Sequence, residues 1–546
     1  MTRRVVLVGA TGVFGQRLAR ILAEWPDIEL ILAARSRPDL ERLANALAGR
    51  ANIIVIDRAR PQGIADLEPF AVIDCAGPFQ NADYSFARAM LAAGAHYIDL
   101  ADGRAFVAGF AAALDEAAKA AGRVAITGAS STPALSHAAL DQLTVGWARI
   151  DKVLAAISPG AKAPRGQSAV RAVLSWVGRP VRVFTKGDWR ERPGWGMTRR
   201  MDMAGLGRRW LSLAETPDLD LLVERFTPRR EGLFLAGLEL PIMHLGLALL
   251  AWPVRWRLLK SLTWASGPLR AAADMLVGFG SDRGGMICQA EGCDAEGRPV
   301  IARWSLWAEK GSGPNVPILP IAAALRALVD GRLTGTGAGP CVGLLGVDEI
   351  MVQARHLPIS TRIDVSHTTE AGMWPMLFGP AFAAYPSSVR RLHRGLTAET
   401  FHGRAWASGS RGLARLIRRF FGMPKPGRYP NFKVELNPDA RGEAWIRIFG
   451  RRRFGSHINP VPGDPGRFEE GTGPLLFRFE PEHRPHGFLW KFTSWRLGPM
   501  RLPKALAPRI RARTYEMDGV YRFRILIAHP MVGIIAGYAG RLTAPD

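Results

Sequence analysis

The sequence predicts an α/β chain that opens with a Rossmann doubly wound parallel sheet, continues into a mixed α+β substrate domain and ends in a β-rich α+β domain. Three observations predict it. A strand, a glycine turn and a helix follow one another at the start; short apolar runs then alternate with alanine-rich helical stretches to about residue 130; and from about residue 374 helical spacing gives way to two-residue alternation. A chain of 546 residues with 48% hydrophobic and 22% charged side chains exceeds what one core supports, and roughly three domains of about 150 residues are expected. Their bounds read as 1–130, 131–315 and 374–546.

Val5–Val8 is the first apolar strand. Gly9, Thr11, Gly12, Val13, Phe14 and Gly15 form the turn into a helix marked by Leu18, Ile21 and Leu22. Glycine serves three needs here: a tight turn, space for a pyrophosphate against the backbone, and close packing of helix on strand. The N–H groups of the helix start then face the phosphates. Further strands are expected at Glu29–Ala34, Ile53–Ile56, Val72–Cys75, Tyr97–Leu100 and Val124–Thr127, and the helix from Arg104 to Ala121 stops at Gly122, a good C-terminal cap.

In dinucleotide-binding sheets specific for NAD, the end of the second strand usually carries Asp or Glu against the ribose 2′-hydroxyl. Here the sequence reads Ala34, Arg35, Ser36, Arg37, which favours a 2′-phosphate and hence NADP; the alternative is that Arg35 is only a surface arginine. Asp57, closing the third strand, is placed either to bind the adenine amino group or simply to start a loop.

In the middle region Val170–Val177, Val181–Phe184 and Val300–Trp307 read as strands, and Trp176, Trp189, Trp195 and Trp210 either line an apolar site or pack a core. Pro241–Val254 is free of charge but well short of the ~20 residues of a membrane span. It reads as a buried helix or as an interfacial segment edged by Arg255, Arg257 and Lys260. In the last region, alternation at Phe432–Leu436, Trp445–Phe449, Leu475–Phe479 and Tyr521–Ile527 predicts a curved antiparallel sheet, with Arg451–Arg453 on a hairpin rim or against a phosphate.

The formal charge of +24 is unevenly distributed. Residues 1–130 hold 14 basic and 14 acidic side chains, whereas residues 375–546 hold 29 and 12, a net of +17. No recognised nucleic-acid fold accompanies that charge, so the expected macromolecular partner is an anionic membrane surface and not nucleic acid. Cys75, Cys288, Cys293 and Cys341 form no CxxC pair, and neither a metal nor a disulfide framework is expected. With no signal-like start, the chain is expected in the cytoplasm, peripheral at the inner membrane face if it meets lipid. No nucleophile elbow, zinc-ligand helix or Walker loop is present, and Tyr84 is followed four residues later by Arg88, not the Lys of short-chain dehydrogenases.

The stretches Val72-Ile73-Asp74-Cys75-Ala76-Gly77-Pro78-Phe79, Gly94-Ala95-His96-Tyr97-Ile98-Asp99 and Ser130-Ser131-Thr132-Pro133-Ala134-Leu135, with the Gly9–Gly15 turn, resemble the saccharopine dehydrogenase-like family. The resemblance covers the first lobe well and runs more loosely to about Gly335–Leu345. It implies a split first domain, completed by a returning helical segment at about 316–355 in which Pro317–Val329 is the helix. It also implies that Cys75, Ala76, Gly77 and Pro78 lie along the nicotinamide side of the cofactor, while Tyr97 and Asp99 face the substrate. Asp99 is the catalytic candidate, because it ends a strand at the crevice where open α/β sheets bind ligands; the alternative is a carboxylate that caps a helix or binds a neighbouring N–H. His137 is close enough in sequence to reach the cleft, although a lone helical His is more often structural. From about Trp374, Phe401–Ala405, Glu443–Gly450 and His529-Pro530 resemble an uncharacterised domain that follows such reductases in some bacteria.

Two function classes follow. One is an NADP-dependent oxidoreductase similar to saccharopine reductases, transferring hydride to an imine or an activated alkene of a small substrate, either lipidic or an amino acid conjugate. The other is a nucleotide-sensing or lipid-binding protein at the membrane surface that keeps the cofactor lobe without turnover.

Overall fold

The computed structural model describes residues 2–543 apart from 59, 81, 165–166, 368–371, 396–397, 440–441, 462–463 and 499. The chain divides into two compact units, one of residues 1–291 with 302–365 and one of 292–301 with 366–546.

In the first unit the opening strands are β1 (Arg3–Val8), β2 (Ile28–Ala34), β3 (Asn52–Val55), β4 (Ala71–Asp74), β5 (His96–Asp99) and β6 (Val124–Thr127). They lie in the order β3-β2-β1-β4-β5-β6 and pair in parallel, the doubly wound order expected from the sequence. Strands buried on both faces must be continuously apolar, which is why Val5, Val6, Leu7, Val72 and Ile73 are fully buried. The sheet gains a seventh strand when Gly337–Pro340 returns to pair in parallel with β6. The helix Leu319–Val329 accompanies it, buried nearly throughout.

Between β6 and that return the chain builds a mixed sheet from β7 (Arg149–Ser158), β8 (Pro180–Thr185), β9 (Asp188–Pro193), β10 (Arg199–Met203), β11 (Gly207–Leu213), β12 (Glu231–Ala236), β13 (Gly284–Cys293) and β14 (Pro299–Ala308). After the returning strand, β15 (Gly337–Pro340), comes β16 (Ile359–His367), which joins this sheet beside β14. One expected strand is a helix: Val170–Val177 falls in Gln167–Trp176. Its apolar residues recur at helical spacing, Val170, Val173, Leu174 and Val177, and all four pack into one cluster with Trp195, which settles that tryptophan as core.

The second unit is built on β17 (Glu399–Ser408), β18 (Gly427–Asp439), β19 (Gly442–Phe449), β20 (Arg452–Val461), β21 (Asp464–Thr472), β22 (Leu475–Arg484), β23 (Gly487–Leu497), β24 (Met500–Arg501), β25 (Arg509–Met517), β26 (Val520–His529) and β27 (Gly533–Thr543). Pairing runs from β22 back through β17, on to β27, β26, β25 and β23, and returns to β22, so ten strands close a barrel with β24 appended to β23. Closure removes the exposed edges an open sheet would leave. The helices Met373–Phe378 and Ser387–Leu392 fill one end, where Trp374 is fully buried against Phe378, His393, Phe468 and Phe488. Buried Glu443 accepts the indole N–H of Trp374 at 2.9 Å and of Trp445 at 2.6 Å.

Candidate functional site

The glycine turn sits at the carboxyl end of β1, with each glycine in the role its environment sets. Gly9 has φ +74°, and a Cβ there would lie 2.8 Å from the Cys75 carbonyl carbon, so the turn and the end of β4 are packed backbone to backbone. A Cβ on Gly15 would lie 2.2 Å from the Gly9 oxygen, so only glycine lets the helix Gly15–Leu22 begin this close to the turn. Gly12 differs: it is exposed, and a Cβ would meet only the Gly9 oxygen, at 3.2 Å. The turn is held by Gly9 N–H to the Ala33 oxygen at 2.9 Å and by the Gln16 side chain to the Thr11 oxygen at 2.7 Å. The first N–H groups of a helix have no intrahelical acceptor, so Val13, Phe14 and Gly15 present a ready anion site.

The other expected cofactor residues share this edge. Arg35 follows β2, exposed and with no carboxylate partner among the described residues, whereas Arg37 pairs with Glu41 at 3.6 Å. Ser36 precedes the helix Arg37–Ala46 without a side-chain cap bond, and Asp57 is exposed just beyond β3. Cys75, Ala76, Gly77 and Pro78 leave β4 with Gly77 and Pro78 exposed, while burial pushes the Cys75 thiol well up.

The two expected substrate-facing residues behave otherwise. Tyr97 does not face a cleft: its ring is fully buried beside Phe110, and its hydroxyl donates to Asp74 at 3.0 Å. A strand places residues 97 and 99 on the same face, and here that face belongs to the core. Asp99 stands at the end of β5 as expected, yet its side chain is fully buried. One carboxylate oxygen accepts from Ala101 N–H at 2.9 Å, Gly128 N–H at 2.9 Å and the Thr127 hydroxyl at 2.8 Å, tying the ends of β5 and β6 together. The other oxygen is buried without a hydrogen bond among the described residues. Burial pushes this carboxyl up to about 7, against the downward pull of the three donors. Asp99 thus makes the neighbouring N–H contacts named in the alternative reading. His137 is fully buried, 3.5 Å from buried Asp218.

Comparison with known proteins agrees with this geometry. Residues 5–126 match the family model described as the saccharopine dehydrogenase NADP binding domain. The N-terminal lobe is thus similar to that domain family. Residues 385–542 match a domain of unknown function (DUF4166), and no curated protein matches the chain. Similar solved structures include apo saccharopine dehydrogenase (L-Glu forming) from Saccharomyces cerevisiae, 13% identical over 66% of this chain and 100% of that chain, TM-score 0.47. A homospermidine synthase from Legionella pneumophila in complex with NAD is 12% identical over 67% and 91%, TM-score 0.42. DAP dehydrogenase from C. glutamicum in complex with DAP is 15% identical over 64% and 99%, TM-score 0.34. The family match gives this saccharopine dehydrogenase-like lobe an NAD(P)-binding fold, and its glycine turn fits a nicotinamide dinucleotide.

Two features of this lobe were not assigned a role from sequence. Asp74, in register with Asp99 across β4 and β5, is fully buried and held by Arg58 at 2.8 Å, by Tyr97 and by Ala76 N–H at 2.9 Å. The readable signal was a carboxylate at the buried end of a strand, which demands a cation; Arg58, beside Asp57, is that cation. The second feature is a cleft of about 180 Å³ opening beside Val13 and Phe14 of the glycine turn. Its walls come from both the saccharopine dehydrogenase-like lobe and the mixed sheet, including Ser131, Ile157, Met286, Leu306 and Val316. Among the described lining residues the only ionisable one is Asp282.

Proposed function

We propose that the first unit is an NADPH-dependent reductase that transfers hydride to an imine or an activated alkene of a small, largely apolar substrate. The observation that carries the cofactor choice is Arg35: exposed, unpaired among the described residues, and standing where an NAD-specific enzyme has an acid. Gly12–Gly15 would receive the pyrophosphate, Arg35 and Ser36 the 2′-phosphate, and Cys75–Pro78 would border the nicotinamide. Bound there, the dinucleotide would supply the hydride. The apolar cleft beside Val13 and Phe14 supports an apolar substrate, either a lipid or an apolar amino acid conjugate, and excludes bulk water from the transfer. With Tyr97 sealed in the core, the proton that completes reduction would come from solvent once the hydride has been transferred, and Asp99 would act as a positioning residue that fixes the ends of β5 and β6.

An arginine–phosphate contact contributes about 1.5 to 3 kcal/mol as a charge-assisted hydrogen bond. NADPH should therefore bind about tenfold or more tightly than NADH, and Arg35→Ala should remove most of that difference. Calorimetry with both cofactors decides it. Equal affinities in the unmodified protein would refute the assignment.

The same unit presents a second feature that supports action at a membrane surface. No helix among the described residues is long and apolar enough to cross a membrane. The helix Pro241–Arg255 buries only His244, Ala251 and Val254, so the buried-helix reading of this segment is set aside. Ile242, Leu249, Trp252, Trp256, Leu258 and Trp264 are exposed, Leu249 by 70% and Leu258 by 73%. Between Glu239 and Asp274 the sequence has no acid but carries Arg255, Arg257, Lys260 and Arg270. A protein partner would match an apolar patch with either sign of charge; an acid-free patch with tryptophans at its edge suits the headgroup layer of an anionic bilayer. The barrel unit carries its own basic face. Arg404, Arg541 and Arg522 stand in one cross-strand row, and Arg524 and Arg513 in the next. No carboxylate pairs with Arg404, Arg524 or Arg541 among the described residues, although like charges directly opposite one another destabilise a sheet. Arg451–Arg453 lie elsewhere, at the turn between β19 and β20, where Arg453 is paired with Glu435 at 2.8 Å.

The protein should sediment with anionic vesicles at low salt and be released as salt rises, because surface charges are screened over about 8 Å at physiological ionic strength. A double substitution, Leu249→Glu with Trp256→Glu, should abolish the salt-resistant fraction. Protein that stays in the supernatant with anionic vesicles at low salt would rule the membrane reading out.

A further inference from the structure

The barrel encloses a cavity of about 370 Å³, within the range of small-molecule sites. Its wall is mainly apolar, from inward-facing Phe432, Val434, Phe477, Ile510, Phe523 and Ile525. We propose that this domain binds one uncharged, single-chain amphiphile: a long hydrocarbon chain carrying an ester, ketone or hydroxyl head. The chain is inferred from the wall, since an apolar space of this size left empty forfeits dispersion contacts on every side.

The head is inferred from two polar features. Arg447, 5% exposed, is already neutralised: it donates to the Ser456 hydroxyl at 2.8 Å and to Glu470 at 3.2 Å, and Ser456 donates to the same Glu470 oxygen at 2.6 Å. The buried part of the lining therefore holds a matched pair with no spare charge, since the other basic lining residues, Arg513 and His529, are exposed and half-buried, and an ionised head placed in that buried part would go unpaired. Trp490, 7% exposed, lines the cavity, and its indole N–H has no acceptor among the described residues. A buried donor without a partner is rare in a native protein, and a neutral carbonyl or hydroxyl oxygen satisfies it. Trp445 makes no such demand, because its N–H is taken by Glu443.

The way in is also built for a lipid. The helix Leu413–Phe420 turns Ile417 toward the cavity, and Phe421 and Met423 continue that lining. Arg418 pins the helix, donating to the Ser410 carbonyl at 2.8 Å and the Ile535 carbonyl at 2.7 Å. The adjoining, outward edge of the helix exposes Leu413, Leu416 and Phe420, the last by 82%, among Arg411, Arg415 and Arg419. An apolar helix face set among arginines, over the mouth of an apolar cavity, can take its ligand directly from an anionic bilayer.

The test uses the full-length protein without NADPH, so its outcome is separate from that of the reductase reading. Monoolein is the neutral probe and oleate at pH 8 its charged counterpart, with binding followed by calorimetry and native mass spectrometry. One monoolein per chain is expected, with oleate at least about tenfold weaker because its carboxylate goes unpaired. Ala512→Phe and Ile525→Trp fill the cavity and should each weaken monoolein binding at least about tenfold. Trp490→Phe keeps the ring and removes the donor, so it should weaken binding about fivefold even if the filled variants fold poorly. Failure of monoolein to bind stoichiometrically, or its full retention in both filled variants, overturns the cavity site. Oleate binding as tightly as monoolein, or an unchanged affinity in Trp490→Phe, overturns the uncharged head.

Discussion

Gly12→Val should remove the cofactor and spare the fold. NADPH affinity is expected to fall by more than about 100-fold, with the circular dichroism spectrum and thermal midpoint close to those of the parent. The argument rests on how the glycines of the turn differ. A side chain at Gly9 or Gly15 would strike backbone, at 2.8 Å and 2.2 Å, so substitution there disturbs the protein itself. Gly12 is exposed, its φ is not positive, and a Cβ would meet only the Gly9 oxygen, at 3.2 Å. Two valine methyls would instead project into the space above the turn, which the pyrophosphate needs. Calorimetric titration with NADPH is the measurement, and normal binding by the variant would show that the phosphates lie elsewhere.

Arg58→Ala should destabilise the first unit by about 3 to 5 kcal/mol, the usual cost of leaving a buried charge without its partner. Asp74 is fully buried and Arg58 only 25% exposed, so water cannot replace the lost contacts. The arginine also lies over the rings of Phe79 and Phe86, at 5.5 Å and 5.3 Å, and its removal opens that packing. Adding Asp74→Asn removes the stranded charge and should recover part of the loss. Denaturant unfolding reads both. A loss below about 1 kcal/mol would mean that the pair behaves like a surface salt bridge.

The nucleotide lobe was legible in the sequence because its signals are local. Val124–Thr127 is β6 to the residue, and the turn Gly9–Gly15 lies between the strand and the helix that its glycines imply. What escaped is set by contacts distant in sequence. Val170–Val177 is rich in β-branched residues and reads as a strand, but its partners Trp195, Ala251 and Val254 lie along a stripe that only a helix presents. The placement of Tyr97 against Asp74 depends on the neighbouring strand, and the positions of the two residues within their own strands do not reveal it. In the far domain, alternation identified strands around Phe432, Trp445, Leu475 and Tyr521, yet closure depends on β17 pairing with β27 at the other end of the domain. The cavity exists only because of that closure, so no local pattern could announce it.

The strand that completes the nucleotide sheet also bears on the order in which the protein can be made. Gly337–Pro340 pairs with β6, and every strand of the mixed sheet except β16 lies between them in the chain. At equilibrium such an insertion is tolerated, because the entropy of closing a loop grows only with the logarithm of its length. During synthesis the difference is larger. From the moment β6 leaves the ribosome until Pro340 follows it, the growing chain carries a parallel sheet with its last edge bare, the type of unpaired strand that recruits other strands. Those strands of the mixed sheet must therefore emerge while that edge waits, and the helix Leu319–Val329, emerging just before the final strand, is the first element of the return to reach it.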